Sequence, residues 1–566
     1  MINENNITCL DGGSRKSLFL DNKFGALDYI IFGALLALSS LIGLYYACTG
    51  NKQSSTSEFH MAGKSMGILP VALSLLASFM SAITLLGTPS EIVVFGTQYM
   101  MLAFAYCLVI PIAAHVFVPV FYKLNLTSVY EYLEKRFSKS VRTYTCIVYI
   151  FQTELYLAIV LYAPCLTLSV VTGLNKWLAV VSVGAVCTFY TAIGGMKAVM
   201  WTDVVQICLM FLGLIGIIIK GCIDFDGVIK MWAALEENGR VSFSEFSADP
   251  FIRHSFWSLV IGGTFTWLTI YGVNQSQVQR ALCTPNCKIG QIALWINLPG
   301  LVGLMFACFF CGLVVFSEYK NCNPLQINRI SERDQLLPLY VMDKMNYPGF
   351  PGFFTACIFS GALSTISSGL NSLSTVVLHD LIFAYCCVGM SDGRATTLSK
   401  LISMLFGVLM ILLAVVASNL DGLLQAAYSV YGLVGGPILG VFMFGLFFPW
   451  GNFKGALFGL TFSLVSTLWI GIGAQIYKPK ILGYIPPPMK VDKCYDLNQT
   501  LLSVRNINDS LCFLHHNFNV SNYSGSSIYQ LSYMWYSALA VTTACLSGLV
   551  VSFITGLTRV FQPLQL

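Results

Sequence analysis

The sequence predicts an all-α polytopic membrane protein with about thirteen transmembrane helices, and three observations predict it. Of the 566 residues, 56% are hydrophobic and 10% charged, where a soluble domain has about a quarter of its residues charged. The mean hydropathy is +0.73. The apolar residues also fall in runs of the length a bilayer crossing needs, roughly 20 residues. The net charge of +5 is spread over the loops without a basic stripe or tail, which argues against a nucleic-acid partner. Most cysteines, among them Cys165, Cys187, Cys208, Cys308 and Cys311, sit inside apolar runs and read as small apolar residues. The polar segment 1–23 lacks the apolar core of a cleaved signal peptide.

In order, the predicted spans are 26–48, 67–93, 97–120, 145–171, 176–196, 202–222, 256–280, 289–317, 352–384, 398–418, 421–449, 453–475 and 530–555. An odd number puts the termini on opposite sides. With the N-terminus outside, the loop 121–144 lies inside with Lys123, Lys135, Arg136, Lys139 and Arg142, as the positive-inside rule requires. The inner loops 281–288 and 385–400 carry Lys288, Arg394 and Lys400. The outer loops 223–255 and 318–351 balance their basic residues with acids such as Glu236, Glu237, Asp249 and Asp334. Glycosylation sequons agree: Asn498, Asn508, Asn519 and Asn522 share the 476–529 loop, and Asn6 lies in the N-terminal segment, all outside. Asn125 has the same pattern but falls in the basic inner loop, and Asn274 falls within a span. Cys494 and Cys512 share the glycosylated loop. A disulfide between them suits an oxidising exterior, and two free thiols is the other reading.

Two spans look interrupted. The second contains SLLASFMSAITLLGTPSE at 74–91, with Ser78, Ser81 and Thr84 at its centre and Gly87 and Pro89 after them. The ninth contains ACIFSGALSTISSGLNSLS at 356–374, dense in hydroxyls and glycine. Unwound backbone at membrane depth is tolerated where it lines a cavity or packs inside protein. Broken helices in paired repeats point to a secondary transporter's binding site. Spans two to six and seven to eleven then form two inverted five-helix repeats, 67–222 and 256–449. They are preceded by an extracellular segment 1–25 and a peripheral helix 26–48. Two peripheral helices within 453–555 and a short cytoplasmic tail 556–566 follow. The seventh span, rich in glycine and hydroxyls around Trp267 and Tyr271, is the counterpart of the second.

A sodium ion needs several hard oxygens. The adjacent Ser364 and Thr365 can share one ion with carbonyls freed near Ser78–Ser81, and no carboxylate is required. Glu154, deep in the fourth span, is either a functional group or a side chain near the inner surface with its head drawn to water. His115 reads as a packing or interface residue. Lys197 and Asp203, in GGMKAVMWTDVVQ, fall at a cytoplasmic turn as a charge-paired gate or a well-anchored loop. There is no phosphate loop, no HExxH and no convincing catalytic carboxylate pair, which argues against an enzyme.

At these residues the chain resembles the sodium:solute symporter family, in the branch of sodium-coupled monocarboxylate, multivitamin and iodide transporters, and is most similar to the monocarboxylate members. The stretches PVALSLLASFMSAITLLGTPSE (70–91), PVFYKLNLTSVYEYLEKRF (119–137), LYAP (161–164) and CTFYTAIGGMKAVMWTDVVQ (187–206) carry the resemblance. So do IGGTFTWLTIYGVNQSQVQR (261–280), PGFFTACIFSGALSTISSGLNSL (351–373), LLQAAYSVYGLVGGPILG (423–440) and LWIGIGAQIY (468–477). The resemblance implies a five-plus-five inverted-repeat core and an extracellular N-terminus. It also implies sodium as coupling ion at Ser364, Thr365, Ser78 and Ser81, with no other cofactor. The implied substrate cavity contains Phe79, Thr84, Tyr106, Tyr156 and Trp267. Thr84 and Tyr106 replace glutamines of the iodide symporter, which favours small organic anions. His379-Asp380 stands where the branch commonly has two acids, and Glu154 where it has an apolar residue. The expected function is sodium-coupled import of small monocarboxylates (lactate, pyruvate, short-chain fatty acids, nicotinate) across the plasma membrane by alternating access. The alternatives are transport of biotin- or pantothenate-type vitamins or another organic anion, and a non-transporting sodium-dependent sensor on the same scaffold.

Overall fold

The computed structural model describes residues 23–48, 56–327, 329–386, 390–420, 422–477, 489 and 527–556. The sequons at Asn6, Asn498, Asn508, Asn519 and Asn522 and the pair Cys494 and Cys512 lie outside the described residues. Every described element is helical. Among the described residues nine helices are long and apolar enough to cross a membrane, or ten when one bent pair counts as a single span.

The helices in chain order are α1 (Ala26–Cys48), α2 (Thr56–Met61), α3 (Ile68–Phe79), α4 (Ala82–Phe95), α5 (Thr97–Lys123), α6 (Lys139–Thr172), α7 (Lys176–Asp224), α8 (Ser258–Tyr271) and α9 (Gln275–Leu282). Then follow α10 (Cys287–Tyr319), α11 (Phe350–Tyr385), α12 (Asp392–Ala417), α13 (Leu423–Phe447), α14 (Phe453–Tyr477) and α15 (Tyr533–Ile554). Shorter helices, Val228–Glu237 and Leu336–Lys344, occupy the two long loops.

Local chemistry sets the ends. The Ser138 side chain accepts from the Val141 N–H and caps α6, so this helix starts six residues before the expected 145. Gly173, at φ 70°, ends it in the left-handed conformation that glycine adopts without a Cβ clash. Asn286 caps α10 by accepting from Ile289 N–H at 3.0 Å. The expected spans 176–196 and 202–222 are joined in α7, which breaks at Gly195 (φ 62°, ψ 176°) rather than in a separate loop.

The second span is broken, but not by Gly87 and Pro89. The interruption lies at Met80 (ψ 73°) and Ser81 (ψ 171°), and α3 and α4 meet there at a 56° bend. Gly87 and Pro89 sit inside α4. Gly87 instead makes room for Leu424, which a Cβ would approach to 2.8 Å. The ninth span corrects the expectation of an interruption: α11 is continuous. Its hydroxyls turn back onto the helix's own carbonyls, as in Thr355 to Pro351 O (2.8 Å), Ser367 to Ser364 O (3.1 Å) and Thr375 to Asn371 O (2.8 Å). Hydroxyl density there satisfies donors without unwinding the backbone. The seventh span breaks at Gly272–Asn274, between α8 and α9.

α11 is the hub. Of its apolar window 89% is buried, and of that of α6 83%, against 39% for α12, α14 and α15. α11 packs on α7, α6, α1, α12 and both halves of the broken pair, while α14 and α15 pack on each other and on α13. Cys308 and Cys311, a CxxC pair inside α10, are buried free thiols. Cys322, in the 318–351 loop, is disulfide-bonded.

Candidate sodium and substrate site

The break lies directly against α11 because Gly361 has no side chain: a Cβ there would sit 3.0 Å from Ala82 N and 3.2 Å from Ser81 C. Thr365, one turn further along, donates through Oγ1 to the Ser78 carbonyl at 3.0 Å. Ser78 donates to Ser74 O at 2.6 Å and lies 3.4 Å from the Ser368 hydroxyl. Hydroxyl and carbonyl oxygens from α3 and α11 thus converge where a helix has lost its regular hydrogen bonds. That is the donor set a hard monovalent cation needs.

Ser364 does not turn to the same partner. Its hydroxyl donates to Asp203 Oδ1 at 2.6 Å. Asp203 is fully buried in α7 rather than at a surface turn, and its ion-pair partner is Arg280 of α9, not the exposed Lys197. Arg280 Nη2 stands 3.3 Å from Asp203 Oδ2. Its Nε donates to Ser74 Oγ at 2.8 Å, its Nη1 to Ser276 O at 2.6 Å, and Nη2 also to Ser368 Oγ. Ser74 in turn donates to Asp203 Oδ2 at 2.5 Å. Both charged groups have no exposed surface. One buried ion pair therefore joins α3, α7, α9 and α11, and a carboxylate stands beside the hydroxyl pair where none was expected.

Beside the break lies an aromatic group. Tyr156 of α6 lies beside Ser81 and packs edge-on to Tyr431 at 4.9 Å. Trp267 meets Tyr106 edge-on at 4.7 Å and stacks on Tyr271 at 6.0 Å. Tyr428 of α13 gathers Tyr99 (hydroxyls 3.2 Å apart), Tyr106 and Trp267. Thr84, in the first turn of α4, is half-buried. Phe79 ends α3, and its side chain lies outside the described set. The structure brings Trp267 and Tyr106 together, Tyr156 to Ser81, and Thr365 to Ser78. Sequence reasoning missed Tyr428, Asp203 as a buried group, and Arg280.

Other polar residues resolve differently. Glu154 is 2% exposed and neither carboxylate oxygen has a hydrogen-bond partner, so its head is not drawn to water. Asp380 pairs with Arg142 at 2.5 Å and accepts from Ser128 at 2.5 Å, and the His379 ring lies 5.7 Å from that of His60. His115 accepts from Trp295 Nε1 at 3.1 Å, within a five-residue π-turn of α5.

Comparison with known proteins agrees with this architecture. A model of the sodium:solute symporter family matches residues 59–462. The human sodium-coupled monocarboxylate transporter 1 is 44% identical over 535 residues, covering 94% of this chain and 87% of that protein. The rabbit (Oryctolagus cuniculus) sodium-dependent multivitamin transporter is also 44% identical, over 551 residues, 96% and 85%. In three dimensions the fold matches a Na+-coupled sialic acid symporter, solved in a substrate-bound outward-open state, with a TM-score of 0.75 at 22% identity, over 95% of this chain and 100% of that one. The matched segment spans both broken helices, the hydroxyl pair and the buried ion pair, and the chain belongs to the sodium:solute symporter family.

Proposed function

We propose that this protein imports small monocarboxylates, of the lactate, pyruvate, short-chain fatty acid and nicotinate kind, across the plasma membrane. Sodium-coupled transport of small organic solutes is the property of the family; the substrate class is the step taken here. The observation that carries it is the surround of the break: hydroxyls of Ser81, Tyr156, Tyr106 and Tyr428 beside the apolar face of Trp267. A carboxylate stripped of water without partners is costly. Hydroxyl donors and a nearby sodium ion supply those partners, and the ring faces suit a short apolar body.

Sodium is assigned to Ser364, Thr365 and the backbone and hydroxyls of Ser78 and Ser81, with Asp203 beside them through Ser364. Binding there fixes the α3–α4 break against α11. The substrate then settles among Thr84, Tyr106, Tyr156, Trp267 and Phe79. Closure outside and opening inside follow. Each net positive charge carried inward adds about 2.3 kcal/mol per 100 mV of membrane potential. The bent pair taken as one span, the nine long helices and the three shorter apolar helices together support thirteen spans. The repeats 67–222 and 256–449 are assigned on that count. The disulfide-bonded Cys322 supports an outer position for the 318–351 loop, and with it an outside N-terminus.

Vitamin transport is the second reading, because the multivitamin relative is as similar as the monocarboxylate one. Uptake of labelled lactate, nicotinate and biotin in sodium against choline medium separates the two. Thr84→Val is expected to weaken monocarboxylates about ten-fold through a lost hydroxyl donor, and Trp267→Ala to weaken a bulkier vitamin most. Strong sodium-driven biotin uptake with no monocarboxylate uptake overturns the proposal.

A further inference from the structure

Glu91, near the outer end of α4, is 1% exposed. Its Oε1 accepts from Arg253 Nε at 3.1 Å and Nη2 at 2.5 Å, and its Oε2 stands 3.5 Å from Arg333 Nη1. The guanidiniums come from different loops: Arg253 precedes α8, and Arg333 lies in the loop before α11. Arg253 also donates to Gln425 of α13 at 2.7 Å and lies over the rings of Phe95 (4.2 Å) and Tyr533 (5.0 Å). Arg333 occupies the space over Gly422 that a Cβ would fill. The neighbouring His254, 3.5 Å from Glu91, is neutral: burial and then Arg253 hold its pKa down at about 3. Asp334 is engaged elsewhere, accepting from the Leu423 N–H at 3.0 Å.

Beneath this cluster the aromatic contacts run without interruption to the proposed substrate residues. His254 meets the Tyr533 hydroxyl at 2.9 Å, Tyr533 stacks on Tyr428 at 6.3 Å, and Tyr428 meets Trp267 at 6.3 Å. At the other end of this aromatic run stand two guanidiniums already shaped around a carboxylate.

We propose that Arg253 and Arg333 form an outer entry site for the carboxylate of the substrate, with Glu91 as its built-in surrogate. Glu91 fills the site when it is empty and yields it to the arriving anion. The guanidiniums face one carboxylate before and after the exchange, and the bound anion brings the net charge of Arg253, Arg333 and Glu91 from +1 to zero. Freeing Glu91 removes the side-chain ion pairs between α4 and the two loops and leaves the Ser90 hydroxyl on the Arg333 carbonyl at 2.8 Å, so arrival of the anion also loosens the outer end of the broken pair. The inference rests on the reading of the substrate as an organic monocarboxylate.

The test is the sign of two substitutions. In cells expressing the full chain, with surface protein quantified, the KM for nicotinate and for lactate and the half-saturating sodium concentration are measured for Arg333→Gln, Arg333→Lys and Glu91→Gln. An entry site predicts that R333Q raises the KM about ten-fold, that R333K stays within about three-fold of wild type, and that E91Q, which removes the competing carboxylate, lowers the KM several-fold. The half-saturating sodium concentration stays within two-fold in R333Q, because Glu91 keeps both of its bonds to Arg253 and α4 therefore stays held. A clamp that only holds the outer end shut predicts that R333Q and E91Q move the KM the same way and shift the sodium dependence with it; that result, or no change in KM, overturns the inference. Should E91Q fail to reach the surface, R333Q decides through its sodium dependence: a raised KM with sodium unchanged supports the entry site, and any other combination overturns it. Absence of monocarboxylate uptake by the wild type would instead defeat the substrate reading itself.

Discussion

Replacing Asp203 by Asn leaves Arg280 as a guanidinium with no exposed surface and no counter-charge. Breaking a buried ion pair from one side costs about 3–5 kcal/mol, because the remaining charge is still out of water. Arg280 keeps its contacts to Ser74, Ser276 O and Ser368, which places the expectation near the lower figure, about 3 kcal/mol. Replacing both partners removes the stranded charge, so Asp203→Asn with Arg280→Met should recover most of that loss. The coupling between the two sites should then be at least about 2 kcal/mol in a double-mutant cycle. The assay is thermal unfolding of the purified protein in detergent for wild type, each single variant and the double. D203N should also raise the half-saturating sodium concentration, since Ser364 then faces a neutral amide instead of a carboxylate. A D203N protein within about 0.5 kcal/mol of wild type, or a double variant whose loss equals the sum of the singles, would refute the argument that this pair is a single structural unit.

Four further outcomes are expected. Thr365→Val removes the hydroxyl that holds the Ser78 carbonyl and should raise the half-saturating sodium concentration about ten-fold at normal surface level; unchanged sodium dependence removes Thr365 from the site. Glu154→Leu replaces a buried carboxyl that has no partner and should gain about 1–3 kcal/mol in detergent unfolding, whereas a loss of that size would mean that Glu154 has a structural partner. His60, before the first broken span, has its pKa lowered to about 3 by burial and then by His379. The neutral ring is therefore the folded form: its contribution is complete above about pH 6.5 and is lost as pH falls from there, at up to about 1.4 kcal/mol per unit. Melting temperatures from pH 7.5 to 5 should fall less steeply in His60→Asn, and equal slopes would refute this. Removing Asn6, Asn498, Asn508, Asn519 and Asn522 together should abolish a glycosidase-sensitive gel shift, while sugar on Asn125 would invert the assigned topology.

The spans were legible because apolar length is a local property, and so was the presence of a break in 74–91, because hydroxyls cluster there. The position of the break was not. Gly87 and Pro89 look like breakers in sequence. Yet the Pro89 ring and its missing N–H are accommodated within α4, while Met80 and Ser81 unwind because Gly361, 280 residues away, lets them approach α11. Hydroxyl density in α11 looked like a second interruption, whereas back-bonded serines leave the helix continuous. The Asp203–Arg280 pair spans 77 residues, and nothing near Asp203 in the chain distinguishes it from a partner of Lys197. The sequence leaves Glu154 open between a functional group and a side chain near the inner surface, and only its depth in α6 shows that its head does not reach water. Tyr428 carries no sequence signal of its own: it becomes a site residue by facing Tyr99, Tyr106 and Trp267 at once.

The broken pair links the two ends of the proposed mechanism by geometry. Ser78 and Ser81 stand at its hinge, where Thr365 holds the free carbonyl; Glu91 stands near the C-terminal end of α4 in the grip of two guanidiniums. The ten residues from Ser81 to Glu91 make a lever of about 15 Å at 1.5 Å per residue. A change of 10° at the hinge therefore moves Glu91 by about 2.6 Å on that lever, as much as the length of its bonds to Arg253. The motion needs no relay of side chains, because residues 85–93 of α4 are all buried and held as one body. If sodium sets the angle at the hinge, it changes the grip at the far end of α4. By thermodynamic reciprocity, an anion that displaces Glu91 must change the affinity for sodium by the same factor. Coupling between ion and solute is then a property of one bent helix pair, with the ion at the bend and the solute's point of entry at the tip.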